Sequence, residues 1–430
     1  MLKIFSKMMY SLLGIEHSPQ LPAVIKNISW MFLDNVIRFF VGLVVLGMMA
    51  HYLGAGGFGS LSYALAFVSI FSLFASLGLN EYVLRRLAVD PLRKEKILST
   101  AFVMKLLGGF LSFFICLILI NFINPAAQLK AMVIIVAGSL VFQSFDIVDL
   151  YFQSTVQSRF SIIAKTTVFI VMSVVRVCLI TMHASLEMFA WVSLIEMLLT
   201  GVALVIVFAL KGNCLKFNIL DGGIAVELFK NSWPLFLSGI LVMVNMRIDQ
   251  VLLEYFKGTH EVGIYAAAVR VSEIGYLLGS IIITSAFPIV FKLRHSNEDI
   301  FFLKLKQLYK VLLLIAGLVT IMVVVFSGQI IHLFFGVGFE QASPVLLVHI
   351  FSIPIVFMGG ATTYALVACD LQLFHLARTF LGCLTNVVLN LMLIPKYGAM
   401  GAAYAMLISY LVAVFSIIFL KPVQKIFFIR

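Results

Sequence analysis

Twelve long apolar stretches, separated by short polar ones, make up almost the whole chain. They lie near 24–48, 58–83, 97–122, 128–153, 161–183, 187–210, 231–254, 262–290, 309–327, 342–367, 371–394 and 399–420. Each is long enough to cross ~30 Å of hydrocarbon as an α-helix. The pattern predicts an all-α polytopic membrane protein of about twelve transmembrane helices. The polar segments between them are not alike. Alternate segments hold 22 of the 30 Lys and Arg residues, among them Arg85, Arg86, Arg93, Lys94, Lys96, Lys211, Lys230 and Arg378. The intervening segments hold only Lys130, Lys257 and Lys396. Because basic residues are retained on the cytoplasmic side, both termini are placed in the cytoplasm.

Composition sharpens this reading. With 62% apolar and 11% charged residues, the chain has too little polar surface for a soluble fold of its length. The net charge of +11 does not indicate nucleic-acid binding, because it sits in loops flanking spans rather than on one face of a soluble domain. A basic cytoplasmic rim attracts anionic lipid headgroups instead. No cleavable signal peptide is recognisable. Leu2–Leu13, with Lys3 and Lys7 among apolar residues, reads as a short interfacial helix or an unstructured tail. The five cysteines are scattered without CxxC spacing, which indicates neither disulfides nor a metal site. Nucleotide-binding and hydrolase motifs are missing, so no enzyme activity and no cofactor is expected.

The two halves of the chain repeat each other. Asn27-Ile-Ser-Trp30 matches Asn231-Ser-Trp233; Gly54 and Gly59 match Gly258 and Gly263; Tyr63-Ala64 matches Tyr265-Ala266. The offset is nearly constant, and a related cadence, Gly398-Ala-Met-Gly401-Ala-Ala-Tyr404-Ala405, precedes the last stretch. Small residues at such positions let membrane helices pack closely. The predicted organisation is a six-helix half over 1–210, a cytoplasmic linker or amphipathic helix over 211–230, and a second six-helix half over 231–430. Halves that both start in the cytoplasm form a parallel repeat, with a cavity between them and rocking as the working motion.

Ionisable residues inside hydrocarbon cost roughly 2.5–3.5 kcal/mol each on insertion scales, so each needs a partner or a watery interior. Arg38, Lys105, Arg176, Arg247 and Arg270 fall within spans, with the acids Asp34, Asp146, Asp149, Glu196, Asp249 and Glu273. Asp34 and Arg38 share a helix face at four-residue spacing, and Arg270 and Glu273 at three. Arg247 and Asp249, two apart, point in different directions and each contacts another helix. Lys105 lies near a cytoplasmic end and can snorkel. These pairs admit two readings. One is local neutralisation that lets the helix insert. The other is a cationic chamber in which Arg38, Arg247 and Arg270 bind an anionic substrate, because a guanidinium donates two hydrogen bonds to phosphate or carboxylate. Asn386 and Asn390 share a face and either tie helices together or bind sugar hydroxyls. Pro234, Pro288, Pro344 and Pro354 are candidate kinks.

The segments Leu53-Gly-Ala-Gly-Gly-Phe-Gly-Ser-Leu-Ser-Tyr-Ala64 and Leu77-Gly-Leu-Asn-Glu-Tyr-Val-Leu-Arg-Arg86 resemble the polysaccharide-repeat flippases of the MATE-like multidrug/oligosaccharidyl-lipid/polysaccharide (MOP) exporter superfamily. So do Trp233-Pro-Leu-Phe-Leu-Ser-Gly239, Arg247-Ile-Asp-Gln250 and Val262-Gly-Ile-Tyr-Ala-Ala-Ala-Val-Arg270-Val-Ser-Glu273. The resemblance implies a Wzx-type flippase of the bacterial inner membrane. Such a protein moves undecaprenyl-diphosphate-linked oligosaccharide, such as O-antigen units for lipopolysaccharide, to the periplasmic face. It further implies substrate binding by Arg38, Arg247 and Arg270, and charge pairing or coupling to H+ or Na+ at Asp34, Asp249 and Glu273. Implied partners are membrane lipids, a polysaccharide polymerase and a chain-length regulator, with no nucleic acid. The related lipid II flippases carry two further C-terminal helices, which points away from the peptidoglycan precursor. The alternative of the same architecture is a MATE-type antiporter for drugs or organic cations.

Overall fold

Lipid offers no water to backbone N–H and C=O groups, so a chain this apolar must satisfy them within helices or a closed barrel. In a computed structural model, residues 21–123, 125–214, 219–296, 298–369, 371–418 and 423–424 are described, and the described residues contain no strand. The Leu2–Leu13 segment lies outside them. Fourteen α-helices follow in order: α1 Leu21–Ser76, α2 Asn80–Val89, α3 Lys94–Ile123, α4 Ala127–Ala137, α5 Ser139–Phe142, α6 Asp146–Ser154 and α7 Arg159–Thr181. The chain continues with α8 Leu186–Leu210, α9 Gly222–Lys257, α10 Thr259–Ser296, α11 Glu298–Phe335, α12 Ala342–His349, α13 Ser352–Ala368 and α14 Gln372–Phe415. Among the described residues, ten helical segments are long and apolar enough to cross a membrane, which makes this a multi-pass membrane protein.

The boundaries differ from the hydropathy pattern in instructive places. The seventh stretch, read from 231, belongs to a helix that starts at Gly222. Asp221 explains the start: its Oδ1 accepts the N–H groups of Gly223 and Ile224, 2.9 and 3.2 Å away, as a helix cap does. Hydrogen bonds from Ile224 and Gly223, with Lys96 nearby, hold the Asp221 carboxyl below the usual carboxylate range. This cap is therefore intact at neutral pH and is lost as acid protonates it. The span 128–153 is broken into α4, α5, a 3-10 turn and α6. The segment left between the ninth and tenth stretches, 328–341, shrinks to 336–341, because α11 runs on to Phe335.

Breaks inside long helices fall on glycines rather than on the candidate prolines. α1 leaves helical geometry at Gly54 (φ 63°) and α14 at Gly398 (φ 54°), a left-handed conformation that costs residues with a Cβ more than glycine. Gly258, between α9 and α10, has φ 82°. Pro344 and Pro354 sit in the first turns of α12 and α13, where the missing N–H goes unneeded.

The chain divides into two compact units, Met1–Tyr52 with Ala64–Ile240, and Leu53–Tyr63 with Leu241–Arg430. In the first, Leu79, just before α2, and Val83 and Leu87 of α2 pack with Ile97 and Ala101 of α3, Phe152 of α6, Phe208 of α8 and Leu228 of α9. The basic connection after α2 is tied down as well: Arg86 pairs with Glu227 at 3.1 Å, and Lys94 donates to Asn213 at 2.9 Å. In the second unit, Phe58 meets Phe335 and Phe339, while Phe301, Leu305, Leu366 and Val423 form a further core. Large apolar residues face outward instead, Phe114 at 56% and Leu318 at 62% exposed, as a lipid-facing surface requires.

Repeat-related glycines touch each other in the second unit. A Cβ on Gly59 would lie 1.8 Å from the Thr259 carbonyl oxygen and 2.7 Å from the Gly263 nitrogen. A Cβ on Gly263 would lie 2.0 Å from the Ala55 carbonyl oxygen. Ala55-x-x-x-Gly59 and Thr259-x-x-x-Gly263 thus cross with backbones in contact, a small-residue crossing that draws Leu53–Tyr63 into this unit. Glu261 extends the junction: its Oε2 accepts the N–H of Ala399, 2.8 Å away, just past the break at Gly398. Replacing Gly263 by alanine should destabilise the detergent-purified protein by about 3 kcal/mol, the upper range for overpacking. Gly317→Ala, where a Cβ meets open space in mid-helix, should be neutral or stabilising by up to ~1 kcal/mol. Thermal unfolding of both variants checks the pair, and equal midpoints would refute the crossing.

Candidate functional site

Charged and polar side chains inside the helices gather in both units. In the first, Arg38 donates from Nε to Asp34 Oδ1 at 2.8 Å, one turn back on α1. Thr166 of α7 donates to the same carboxylate oxygen. The Arg38 guanidinium lies over the Phe169 ring, 5.0 Å from its centroid, and its Nη2 is buried without a hydrogen-bond partner. Farther along the unit, Arg176 of α7 meets Glu196 of α8 at 2.6 Å, and Lys165 of α7 meets Asp149 of α6 at 2.6 Å. Lys165, near the start of α7, is thus a helix-to-helix tie.

Lys105 does not snorkel. Its side chain is fully buried and donates to Asn80 Oδ1 at 2.9 Å. The reason is reach: α3 begins at Lys94, so Lys105 lies about 16 Å along the helix from its start.

The second unit holds the denser cluster. Arg247 on α9 and Arg270 on α10 both bind Glu273, at 2.9 Å through Oε1 and 3.3 Å through Oε2. Arg247 and Glu273 are 19% and 18% exposed at the side chain, and Arg270 is 37% exposed. Two guanidinium groups share one carboxylate, so the trio keeps a net positive charge. Asp249, two residues after Arg247, faces elsewhere. It is 1% exposed and receives hydrogen bonds from the Tyr265 hydroxyl and the Gln250 N–H. Neutral donors satisfy Asp249, whereas cations satisfy Glu273. The six sequence-predicted residues thus separate into Asp34 with Arg38 in one unit, and in the other Arg247, Arg270 and Glu273 with Asp249 held apart by its own partners.

Several polar residues around this cluster escaped the sequence reading. Tyr265 stacks edge-on against His349, and that histidine is 1% exposed with both ring nitrogens unpartnered among the described residues. The Tyr276 hydroxyl lies 2.6 Å from Ser352 Oγ, and its ring abuts Tyr410. Arg378 corrects the basic-segment count: it lies inside α14 and is 5% exposed. It donates from Nη2 to the Gly359 carbonyl at 2.9 Å and to Thr363 Oγ1 at 2.5 Å. Position within an apolar run was the only signal for Arg378, and it sat too close to the edge of that run to be read. Asn386 and Asn390 are fully buried; Asn390 donates to Asn386 Oδ1 at 3.0 Å, and Asn386 to Ser409 Oγ at 3.4 Å. They tie together the parts of α14 on either side of Gly398.

Ionisable side chains embedded in membrane helices mark candidate functional sites, and comparison with known proteins gives this one a family. The profile of the polysaccharide biosynthesis protein family matches residues 24–294. The chain belongs to this family. Its relatives include the capsular polysaccharide biosynthesis protein CapF of Staphylococcus aureus, 27% identical over 194 residues. That match covers 44% of this chain and about half, 48%, of the relative's length. The probable flippase AglR of Haloferax volcanii is 26% identical over 394 residues, 87% of this chain and 78% of that protein. The fold is shared with the lipid II flippase MurJ in an inward closed conformation (TM-score 0.69, 19% identity, 92% of this chain and 90% of that one). It is shared too with a MOP superfamily transporter from Pyrococcus furiosus (TM-score 0.68, 15% identity, 94% and 95% covered).

The family profile spans both polar clusters, from Asp34 to Glu273. In this polysaccharide biosynthesis protein, Glu273 is the single acidic group between two cations. Glu273→Ala should therefore destabilise it, by less than the ~3–5 kcal/mol of a broken buried pair because Arg270 is part-exposed. Adding Arg270→Ala should recover part of that loss by removing the like-charge contact. Thermal unfolding of the single and double variants measures this, and additive losses would exclude the shared-carboxylate arrangement.

Proposed function

We propose that the protein is a flippase carrying undecaprenyl-diphosphate-linked oligosaccharide from the cytoplasmic to the outer face of the inner membrane by alternating access. The observation that carries this reading is the Arg247–Glu273–Arg270 trio, whose net positive charge and 37%-exposed Arg270 suit an anionic cargo. A diphosphate and its sugars cannot cross the hydrocarbon unaided, because polar groups there lack water partners. A cationic lining lets the headgroup shed water against fixed donors while the polyprenyl tail stays in lipid. Arg247 and Arg270, with Arg38 in the other unit, serve as the diphosphate-binding donors, since each offers a planar fork to phosphate oxygens. Membership of a polysaccharide biosynthesis family favours this cargo over the organic cations of an antiporter.

In the same reading the helices broken at Gly54 and Gly398 each count as two spans, which brings ten segments to twelve. Both termini are then cytoplasmic, and the halves 1–210 and 231–430 form a parallel repeat. Asp249 or Glu273 exchanges a proton or sodium ion to reset the cycle, with Asp34 holding Arg38 in place. Polymerase and chain-length regulator then take up the product outside.

Arg247→Ala and Arg270→Ala should each reduce surface polysaccharide at least about tenfold at normal protein levels, whereas the lysine variants retain part of it. Normal polysaccharide in both alanine variants, or resistance to cationic dyes on overexpression, would overturn the assignment. Asp249→Asn preserves an acceptor for Tyr265, so it should keep the fold and lose transport if this carboxylate carries the coupling ion. Unchanged transport would assign coupling elsewhere. Cys214, exposed in the connection before α9, should resist impermeant maleimide in intact cells and react in inverted vesicles. The reverse labelling would invert the topology.

A further inference from the structure

The second unit contains a cavity of about 370 Å³ enclosed by α9, α10, α13 and α14. That size is within the ~300–1,000 Å³ range of small-molecule sites. Arg378 lines it, and so do Asn245, Tyr276, His375, Tyr410 and Ser280. Three features of the lining point to one kind of occupant.

Arg378 is the first. It is 5% exposed, and its hydrogen-bond partners among the described residues are all neutral: the Gly359 carbonyl, Thr363 Oγ1 and His375 Nδ1. No described aspartate or glutamate pairs with it, unlike Arg38, Arg176, Arg247 and Arg270, each of which has a carboxylate. A buried cation without a counter-charge is costly, and an anion entering the cavity relieves that cost. The three donor contacts fix the guanidinium by its Nε and Nη2, leaving Nη1 for a ligand.

Asn245 is the second. It is 8% exposed on the cavity wall, and its Oδ1 is buried without a hydrogen-bond partner. A carbonyl oxygen left in that state is costly, and rotation of the Asn245 amide toward the cavity lets a hydroxyl or N–H of an occupant satisfy it. The third feature is the tyrosine pair, Tyr276 and Tyr410, whose rings meet edge-on at 6.4 Å and form part of the wall. Aromatic faces beside a hydroxyl acceptor suit the C–H faces of a sugar ring better than a bare inorganic ion.

We infer that this cavity binds an anionic glycosyl group, a sugar bearing a phosphate or a carboxylate, with the charge on Arg378 and a hydroxyl on Asn245. The site is separate from the Arg247–Glu273–Arg270 trio, and it deepens the flippase reading by giving the headgroup a holding point within one unit. Only the choice of sugar rests on that reading; the anion site rests on Arg378 and its missing counter-charge.

The test uses the full chain purified in detergent and saturation-transfer NMR with three probes: N-acetylglucosamine 1-phosphate, glucuronic acid and neutral N-acetylglucosamine. Both charged sugars, or one of them, should bind at millimolar concentration while the neutral sugar does not. Selectivity for the phosphate identifies the diphosphate-linked end of the cargo, and selectivity for the uronate identifies an acidic residue of the repeat unit. Arg378→Gln should weaken binding at least about tenfold, and Asn245→Leu several-fold. Ser280 is exposed, lines the cavity and takes no part in the Arg378 hydrogen bonds, so Ser280→Phe should block binding with the fold intact, even if Arg378→Gln fails to fold. Arg247 and Arg270 stay intact in every variant, so a loss of binding in Arg378→Gln or Ser280→Phe is read at this cavity and not at the trio that the flippase reading uses. Equal binding of neutral and charged sugars would overturn the site, as would full binding by Ser280→Phe.

Discussion

The backbone crossing of Gly59 and Gly263 is the constraint on which the second unit is built. Carbonyl oxygens of Thr259 and Ala55 occupy the space a side chain would need on either helix. Without a hydrophobic force between helices in lipid, association depends on such close van der Waals approach. The contact pulls the Leu53–Tyr63 part of α1 away from the unit that contains the rest of that helix. Left-handed glycines on both strands of the repeat, Gly54 and Gly258, set the angle at which the chains enter the crossing. Glu261 then caps the broken end at Ala399, so all three occurrences of the glycine cadence meet in one junction.

Charge placement follows a different rule. Hydrocarbon makes an unpaired ion expensive, and most embedded charges have a partner within hydrogen-bonding distance. Asp34 with Arg38, Arg176 with Glu196, and Lys165 with Asp149 balance one to one. The second unit departs from balance where two arginines share Glu273 and where Arg378 has only neutral partners, while Asp249 in that unit and Lys105 in the first also have only neutral hydrogen-bond partners. Structural neutralisation needs no surplus cation. Under the flippase reading proposed above, the surplus around Arg270 and Arg378 is where an anionic cargo is met, and the energetics of insertion are thereby tied to the cargo.

Much of this was legible in the chain itself. The period and length of the apolar runs specified a helical membrane protein, because both are local, one-dimensional properties. Helix spacing alone also put Asp34 against Arg38 and Arg270 against Glu273. Sequence could not show that Arg247 reaches the same carboxylate as Arg270, that Tyr265 closes over Asp249, or that Lys105 ends on Asn80. Those contacts join residues on different helices, and the rotation of each helix about its axis is set by packing against neighbours. Arg378 is the sharpest case: six residues from a helix start, it reads as an edge charge, and only the fold of α13 against α14 buries it. What the sequence determined is that the chain folds as apolar helices for lipid, since hydrophobicity acts on every residue separately; what the tertiary structure decided is where those helices begin and break and which charges go unbalanced, since that depends on which helices meet.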